Sequence, residues 1–173
     1  MAIPETPGNP ELQETPFEKT RHKLVSARIE LMSRLARFGH DELTLAPNPG
    51  EWSALEVAYH VYIADGVALE QLQQVQEEDN PEVAEIEKEA QRLTLGSQPP
   101  VSLDAVLAGM AARREELFEY LNTLAPEAWE RPLRHDAWGP LKFYQLVNVL
   151  PKHDQLHARQ LEELKTALTP VQP

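Results

Sequence analysis

From Pro16 onward, apolar residues return at helical spacing. Phe17, Leu24, Ala27, Ile29, Leu31, Leu35 and Phe38 recur with Arg and Lys between them, and Gly39 closes the run. The stretch 44–52, TLAPNPGEW, is dense in turn formers. Ser53 then stands as an N-cap with Glu56 three residues on, the spacing of a capping box. A second helix follows to about Glu78, with Leu55, Val57, Ala58, Val61, Ile63, Ala64, Val67, Leu69 and Leu72 apolar. That stripe is too wide for a surface helix, so this one should be well buried.

Residues 78–101 break the pattern. They are acidic, contain Pro81 and the Pro99–Pro100 pair, and predict a long connection with one short helical turn near 82–92. A connection this long suits a crossover between two parallel neighbours, because short loops force antiparallel ones. A third helix opens at Ser102 and runs to about Leu124, with Leu103, Val106, Leu107, Met110, Leu117, Phe118 and Leu121 on its inner face. After a loop carrying Trp129 and Trp138, a fourth helix spans about Leu141 to Leu168. Pro151 lacks a backbone donor, so a kink or break is expected near Val147–Pro151. No strand alternation or internal repeat stands out. The expectation is an all-α, four-helix bundle over residues 16–169, preceded by a flexible tail over residues 1–15 that has little to bury.

Composition narrows the chemistry. The chain has 173 residues, enough for one domain with a real core. It has no cysteine, which removes disulfides, thiolate metal sites and a cysteine nucleophile together. A metal would have to be held by His, Asp or Glu. The formal net charge of -12 argues against nucleic acid or an anionic membrane as partner. The first residues have neither a basic start nor an apolar stretch, so no signal peptide is expected, and a cytoplasmic location is the default.

Six histidines are available. His22, His40 and His135 fall on a polar helix face, at a helix end and in a loop, where solvation or a local hydrogen bond accounts for them. His153 and His157 differ, because i, i+4 spacing stacks their rings on one face of the fourth helix. Leu146, Val149 and Leu150 precede them and Leu156, Leu161 and Leu164 follow, so that face is expected to point inward. Two imidazoles so placed can converge on one ion at about 2.0–2.1 Å, though backbone carbonyls or water can also satisfy a buried pair. His60 lies on the apolar face of the second helix, between Val57 and Ala64. Three inward histidines are costly to bury unless something engages their lone pairs, and a shared divalent ion would do so while leaving a fourth position open.

Residues 50–65, GEWSALEVAYHVYIAD, and 152–161, KHDQLHARQL, resemble the DinB-like superfamily of DinB/YfiT-type metalloenzymes. The resemblance covers about residues 17–168, including the long crossover. It implies up-down-down-up helix order, with zinc or nickel on His60, His153 and His157. More loosely it implies thiol-dependent transferase chemistry, with a low-molecular-weight thiol as cofactor, or hydrolase-like chemistry on a small molecule. The competing readings are a bundle that a metal merely pins together, or one that forms a homodimer through an apolar face of the first or third helix.

Around the histidines, several residues have two readings. Glu56 either completes the capping box or reaches toward the ion. Asp65 faces the first or the fourth helix. Asp154 points about 100° round the helix from His153, toward a hydrogen-bonding or surface role. Gln160 could orient a ligand or cover polar surface. Trp52, Trp138 and Tyr62 are candidates to wall a pocket or to plug the core.

Overall fold

The computed structural model describes residues 14–98 and 102–170. Most of the tail expected over residues 1–15, and the Pro99–Pro100 pair, lie outside that range. Four long helices form the bundle: α1 (Pro16–Leu35), α2 (Ala54–Glu77), α4 (Leu103–Thr123) and α6 (Val149–Leu168). Two shorter helices, α3 (Ile86–Leu95) and α5 (Phe143–Val147), lie in the connections.

Helix starts follow local chemistry. Thr15 caps α1 in a reciprocal pair with Glu18 (3.2 and 3.1 Å), and Pro16 fills the first helical position, where no backbone donor is needed. Ser53 and Glu56 cap α2 in the same way, at 3.3 Å in each direction. The Ser102 hydroxyl caps α4. Leu43 C=O also accepts from Leu55 N–H at 3.0 Å, tying the turn before α2 to its first residues.

The order is up-down-down-up. Arg28 and Arg34 of α1 meet Asp154 and Glu162 of α6, so these two helices run parallel. Tyr62 and Asp65 of α2 meet Arg113 and Arg114 of α4, again in rising order. The crossover between α2 and α4 makes that second parallel pair reachable. Gly109 permits the close approach, since a Cβ there would sit 2.7 Å from Cε2 of Tyr62. One apolar cluster gathers Leu24, Leu72, Leu117, Leu121, Trp129 and Phe143, and a second gathers Leu31, Val57, Val61, Met110, Ala158 and Leu161.

Three local expectations need correction. First, the apolar pattern of α1 runs on to Phe38, but the helix ends at Leu35, and Gly39 precedes a single 3₁₀ turn at His40–Glu42. Second, a small sheet is present. β1 (Glu82–Val83) pairs in parallel with β2 (Pro132–His135), which pairs antiparallel with β3 (Gly139–Lys142). Strands of two to four residues are too short to show period-two alternation. Their inward residues, Val83, Leu133 and His135, are buried. Gly139, at φ +72°, turns the β2–β3 hairpin. Third, the expected fourth helix begins later, while its break falls inside the expected stretch Val147–Pro151. β3 takes its first two residues, α5 follows, and the chain breaks at Asn148 before α6. Pro151 therefore falls in the first turn of α6, where its missing N–H costs no helical hydrogen bond.

The crossover itself is more ordered than one helical turn. β1 anchors its start to β2, and α3 then lies along α2 with Ile86, Ala90 and Thr94 buried at i, i+4 and i+8.

Candidate metal centre

His60 is delivered by the buried face of α2, and His153 and His157 by the inward face of α6, one turn apart. Their relative exposures are 0%, 7% and 3%. The His153 and His157 Nε2 atoms lie 3.1 Å apart. The ring centroids of His60 are 5.6 Å from His153 and 4.7 Å from His157.

A fourth group joins them. Oε2 of Glu87, from the first turn of α3, lies 2.9 Å from His60 Nε2, 2.5 Å from His153 Nε2 and 3.1 Å from His157 Nε2. The four ligand atoms all fall within 4.8 Å of one another. The fourth position, expected to be open, thus faces a carboxylate of this chain. Glu87 lay inside the expected helical turn of the crossover, yet sequence reasoning did not find it. The available signal was its spacing to Thr94: seven residues, two helical turns, place both beside the buried Ile86–Ala90 edge.

The outer hydrogen bonds set the tautomers. The Thr94 hydroxyl donates to Ala90 C=O at 2.6 Å, so toward His60, at 3.0 Å, it can only accept from Nδ1–H. The neutral His60 ring then carries a lone pair on Nε2. Likewise His157 Nδ1–H donates to Gln160 Oε1 at 2.7 Å, leaving its Nε2 unprotonated. Two lone pairs consequently face a carboxylate oxygen, an arrangement that repels unless a cation lies between them.

Protonation equilibria reflect this crowding. Burial pushes the His60 imidazole below its ordinary value, against the pull of Glu87. Burial also pushes the Glu87 carboxyl up, but His153, His157 and His60, donating to it whenever their Nε2 atoms carry a proton, outweigh burial and hold the group well below the usual carboxylate range.

The remaining candidates separate cleanly. Glu56 is the capping residue of α2. Gln160 orients His157. Asp65 contacts both α1 and α4. Arg28 grips it with two bonds of 2.9 Å, and Arg114 adds one of 3.0 Å. Asp154 is 1% exposed and accepts from Arg28 at 3.0 Å and from Arg114 at 3.4 Å, so a surface role is ruled out. Each main helix thus contributes one residue to a buried ion cluster. The Asp65 carboxyl would rise on burial, but Arg114 and Arg28 hold it below its ordinary value.

Trp52 packs on His60 with centroids 4.7 Å apart and lines a cleft of about 720 Å³ whose wall includes Glu87 and His157. Tyr62 packs instead against Arg113 and Gly109. Trp138 is 53% exposed and stacks on His135 away from the cluster, with ring centroids 4.2 Å apart. His135 belongs to β2 rather than a loop, and its Nδ1 accepts from the N–H groups of Ala137 and Trp138.

The family model described as the DinB superfamily matches residues 23–161. The chain belongs to the DinB superfamily. Among curated relatives it is similar to the uncharacterised protein YuaE of Bacillus subtilis (strain 168), 27% identical over 157 residues, covering 80% of this chain and 93% of YuaE. Solved structures superpose on it. YfiT from Bacillus subtilis, described as a "probable metal-dependent hydrolase with an unusual four-helix bundle topology", gives a TM-score of 0.68 at 15% identity, over 87% of this chain and 86% of YfiT. The four-helix bundle protein TT2238 gives 0.60 at 22% identity, over 85% of this chain and 98% of that one. A mycothiol-dependent maleylpyruvate isomerase gives 0.64 at 15% identity, over 84% of this chain but 60% of the isomerase. At these identities the superpositions establish the four-helix bundle fold. Among the described residues of this DinB-superfamily chain, no helix is long and apolar enough to cross a membrane.

Proposed function

We propose that this DinB-superfamily protein is a metal-dependent enzyme acting on a small molecule, with hydrolase-like chemistry, and that His60, His153 and His157 hold a divalent ion, zinc or nickel. The observation that carries the proposal is the pair of lone pairs on His60 and His157 Nε2 aimed at the Glu87 carboxylate. A cation at their meeting point turns that repulsion into coordination. The 3.1 Å between His153 and His157 Nε2 suits this role. Nitrogens about 2.1 Å from one ion stand that far apart at a bond angle of about 95°. Imidazole and carboxylate donors accept several divalent metals, so the identity of the ion stays part of the proposal.

When bound there, such an ion supplies a Lewis acid and a nucleophile at neutral pH, from water or from a small thiol. The residues of the chain supply the rest. Thr94 and Gln160 hold the imidazole tautomers with Nε2 free. Glu87, partly exposed to the cleft, adds a carboxylate oxygen, Oε2, to the three imidazole nitrogens. Trp52 packs over His60 and keeps water from that side of the ring. Likeness in fold to YfiT supports metal dependence, and likeness to the mycothiol-dependent isomerase keeps small-thiol chemistry as the alternative reaction.

A structural pin is the second reading, favoured by the approach of Glu87 to all three histidines. Elemental analysis of untagged protein, repeated on His153→Ala, tests the shared premise: one equivalent of divalent metal is expected in the wild type and loss in the variant. Metal absent from the wild type sinks both readings. Hydrolysis of a panel of activated esters and amides by the metal-loaded protein, abolished by chelation, then separates the enzyme from the pin.

A further inference from the structure

The cleft beside the histidine cluster has a chemical character of its own. Glu51, Glu87 and Glu163 line it, together with the amide side chains of Asn48, Gln91 and Gln160. Among the described residues of its wall there is no lysine or arginine, although the chain contains 16 of them. Of those nearby in sequence, Arg92 pairs with Glu89 and Lys165 with Glu42 at 2.6 Å, while Lys88 and Arg159 adjoin wall residues without themselves lining the cleft. Glu51 and Glu163, by contrast, take part in no ion pair among the described residues; the Glu51 carboxylate accepts only from the Asn48 amide, at 3.2 Å.

The rest of the lining is apolar and aromatic. Trp52, Leu95, Leu164, Ala167 and Pro47 complete the wall, and Leu95 is 68% exposed. His157, only 3% exposed, contributes to the same wall and carries the unprotonated Nε2 of the cluster. The cleft and the reacting centre are therefore continuous.

A substrate carboxylate or phosphate would meet no cationic side chain here and would face two unpaired glutamates. A protonated amine or guanidinium would find both of those carboxylates and an aromatic wall, the combination that binds organic cations. We infer that the cleft selects a small organic cation with an apolar body, a primary amine or guanidinium compound, which Glu51, Glu163 and Trp52 orient toward the histidine cluster. This rests on the metal-dependent reading for the chemistry, but the charge preference follows from the cleft alone.

The test is calorimetric titration of the full chain, metal-free and zinc-loaded, with two probes of matched shape and opposite charge, phenethylammonium and 3-phenylpropanoate. The amine is expected to bind about tenfold more tightly than the carboxylate, the size of one favourable cation–aromatic or ionic contact. Its binding should weaken with added salt. Glu51→Gln/Glu163→Gln should abolish the preference while leaving the melting temperature and the zinc content unchanged. Equal binding of the two probes, tighter binding of the carboxylate, or a preference that survives the double substitution overturns the inference. Zinc content measured on the same samples judges the metal reading separately. A protein that takes up no zinc refutes that reading, and the amine preference of the metal-free chain still decides this one.

Discussion

Oε2 of Glu87 lies 2.9 Å from Nε2 of His60, a contact between the first turn of the crossover helix α3 and the buried face of α2. The Nδ1 side of the same imidazole is fixed by Thr94, two turns further along α3. One short helix thus both presents a carboxylate to the cluster and orients the ring that meets it.

Thr94→Val keeps the shape of the side chain and removes the acceptor for His60 Nδ1–H. Gln160→Leu does the same for His157. Each is expected to weaken metal binding roughly 10–100-fold with little change in helicity, as loss of an outer hydrogen bond to a ligating histidine does. Competition with a chromogenic chelator measures it. Unchanged affinity in both variants would show that the tautomers are not set by these partners.

Metal should stabilise the fold by linkage, since the ligands come from α2, α3 and α6 and assemble only in the folded chain. Zinc at about 100 times its dissociation constant adds about 2.7 kcal/mol. The melting temperature should rise on zinc addition, fall with chelator, and respond to neither in His153→Ala.

The ion cluster of Arg28, Asp65, Arg114 and Asp154 spans all four main helices, with both carboxylates nearly inaccessible. Removing one charge leaves an arginine buried with half its partners. Asp65→Asn or Asp154→Asn should therefore cost about 3–5 kcal/mol in urea unfolding. Asp154 adjoins His153 and Asp65 follows His60 by five residues, so metal affinity should fall as well. A loss below about 1 kcal/mol, in the range of exposed pairs, would contradict the burial assigned to the cluster.

His60 and Asp65 are among the groups that make stability pH-dependent, and both act in the same direction. The folded-state pKa of His60 is lowered, so below about pH 6.5 the unfolded chain takes the proton more readily and stability falls. The folded-state pKa of Asp65 is also lowered. Its contribution is complete above the ordinary aspartate value, near pH 4, and is lost as pH drops through the folded value. Urea midpoints of metal-free protein should decline in two stages on acidification. His60→Gln should remove the upper stage and leave the lower one.

Close packing of α2 on α4 sets a further limit. A methyl group at Gly109 would meet the Tyr62 ring at 2.7 Å, and Arg113 packs over that same ring. Gly109→Ala should destabilise the protein by about 1–3 kcal/mol in thermal or urea unfolding, despite the better helix propensity of alanine. A gain in stability would mean the two helices can part at little cost.

Much of this architecture is local and therefore legible from the chain alone. Ser53 with Glu56 and Ser102 mark helix starts through hydrogen bonds to residues three positions away, and those spacings are visible in the string of residues. The inward placement of His60, His153 and His157 follows from helical periodicity, because neighbours at three and four residues share a face. The broken fourth helix was foreshadowed by Pro151, and the break falls at Asn148, inside the expected stretch Val147–Pro151. The small sheet was not legible, because its pairing joins Val83 to His135 across 52 positions and its strands are too short to carry a period.

What spacing determined is which side chains face the interior. What only the tertiary structure decided is which of them meet. Glu87 reaches histidines 27, 66 and 70 residues away, and Arg28 joins Asp65 and Asp154 at separations of 37 and 126. Helical periodicity places a residue on a face but says nothing of the path of a crossover. That path is set by β1 pairing with β2 and by Ile86, Ala90 and Thr94 packing on α2, contacts whose free energy exists only once the whole bundle has closed.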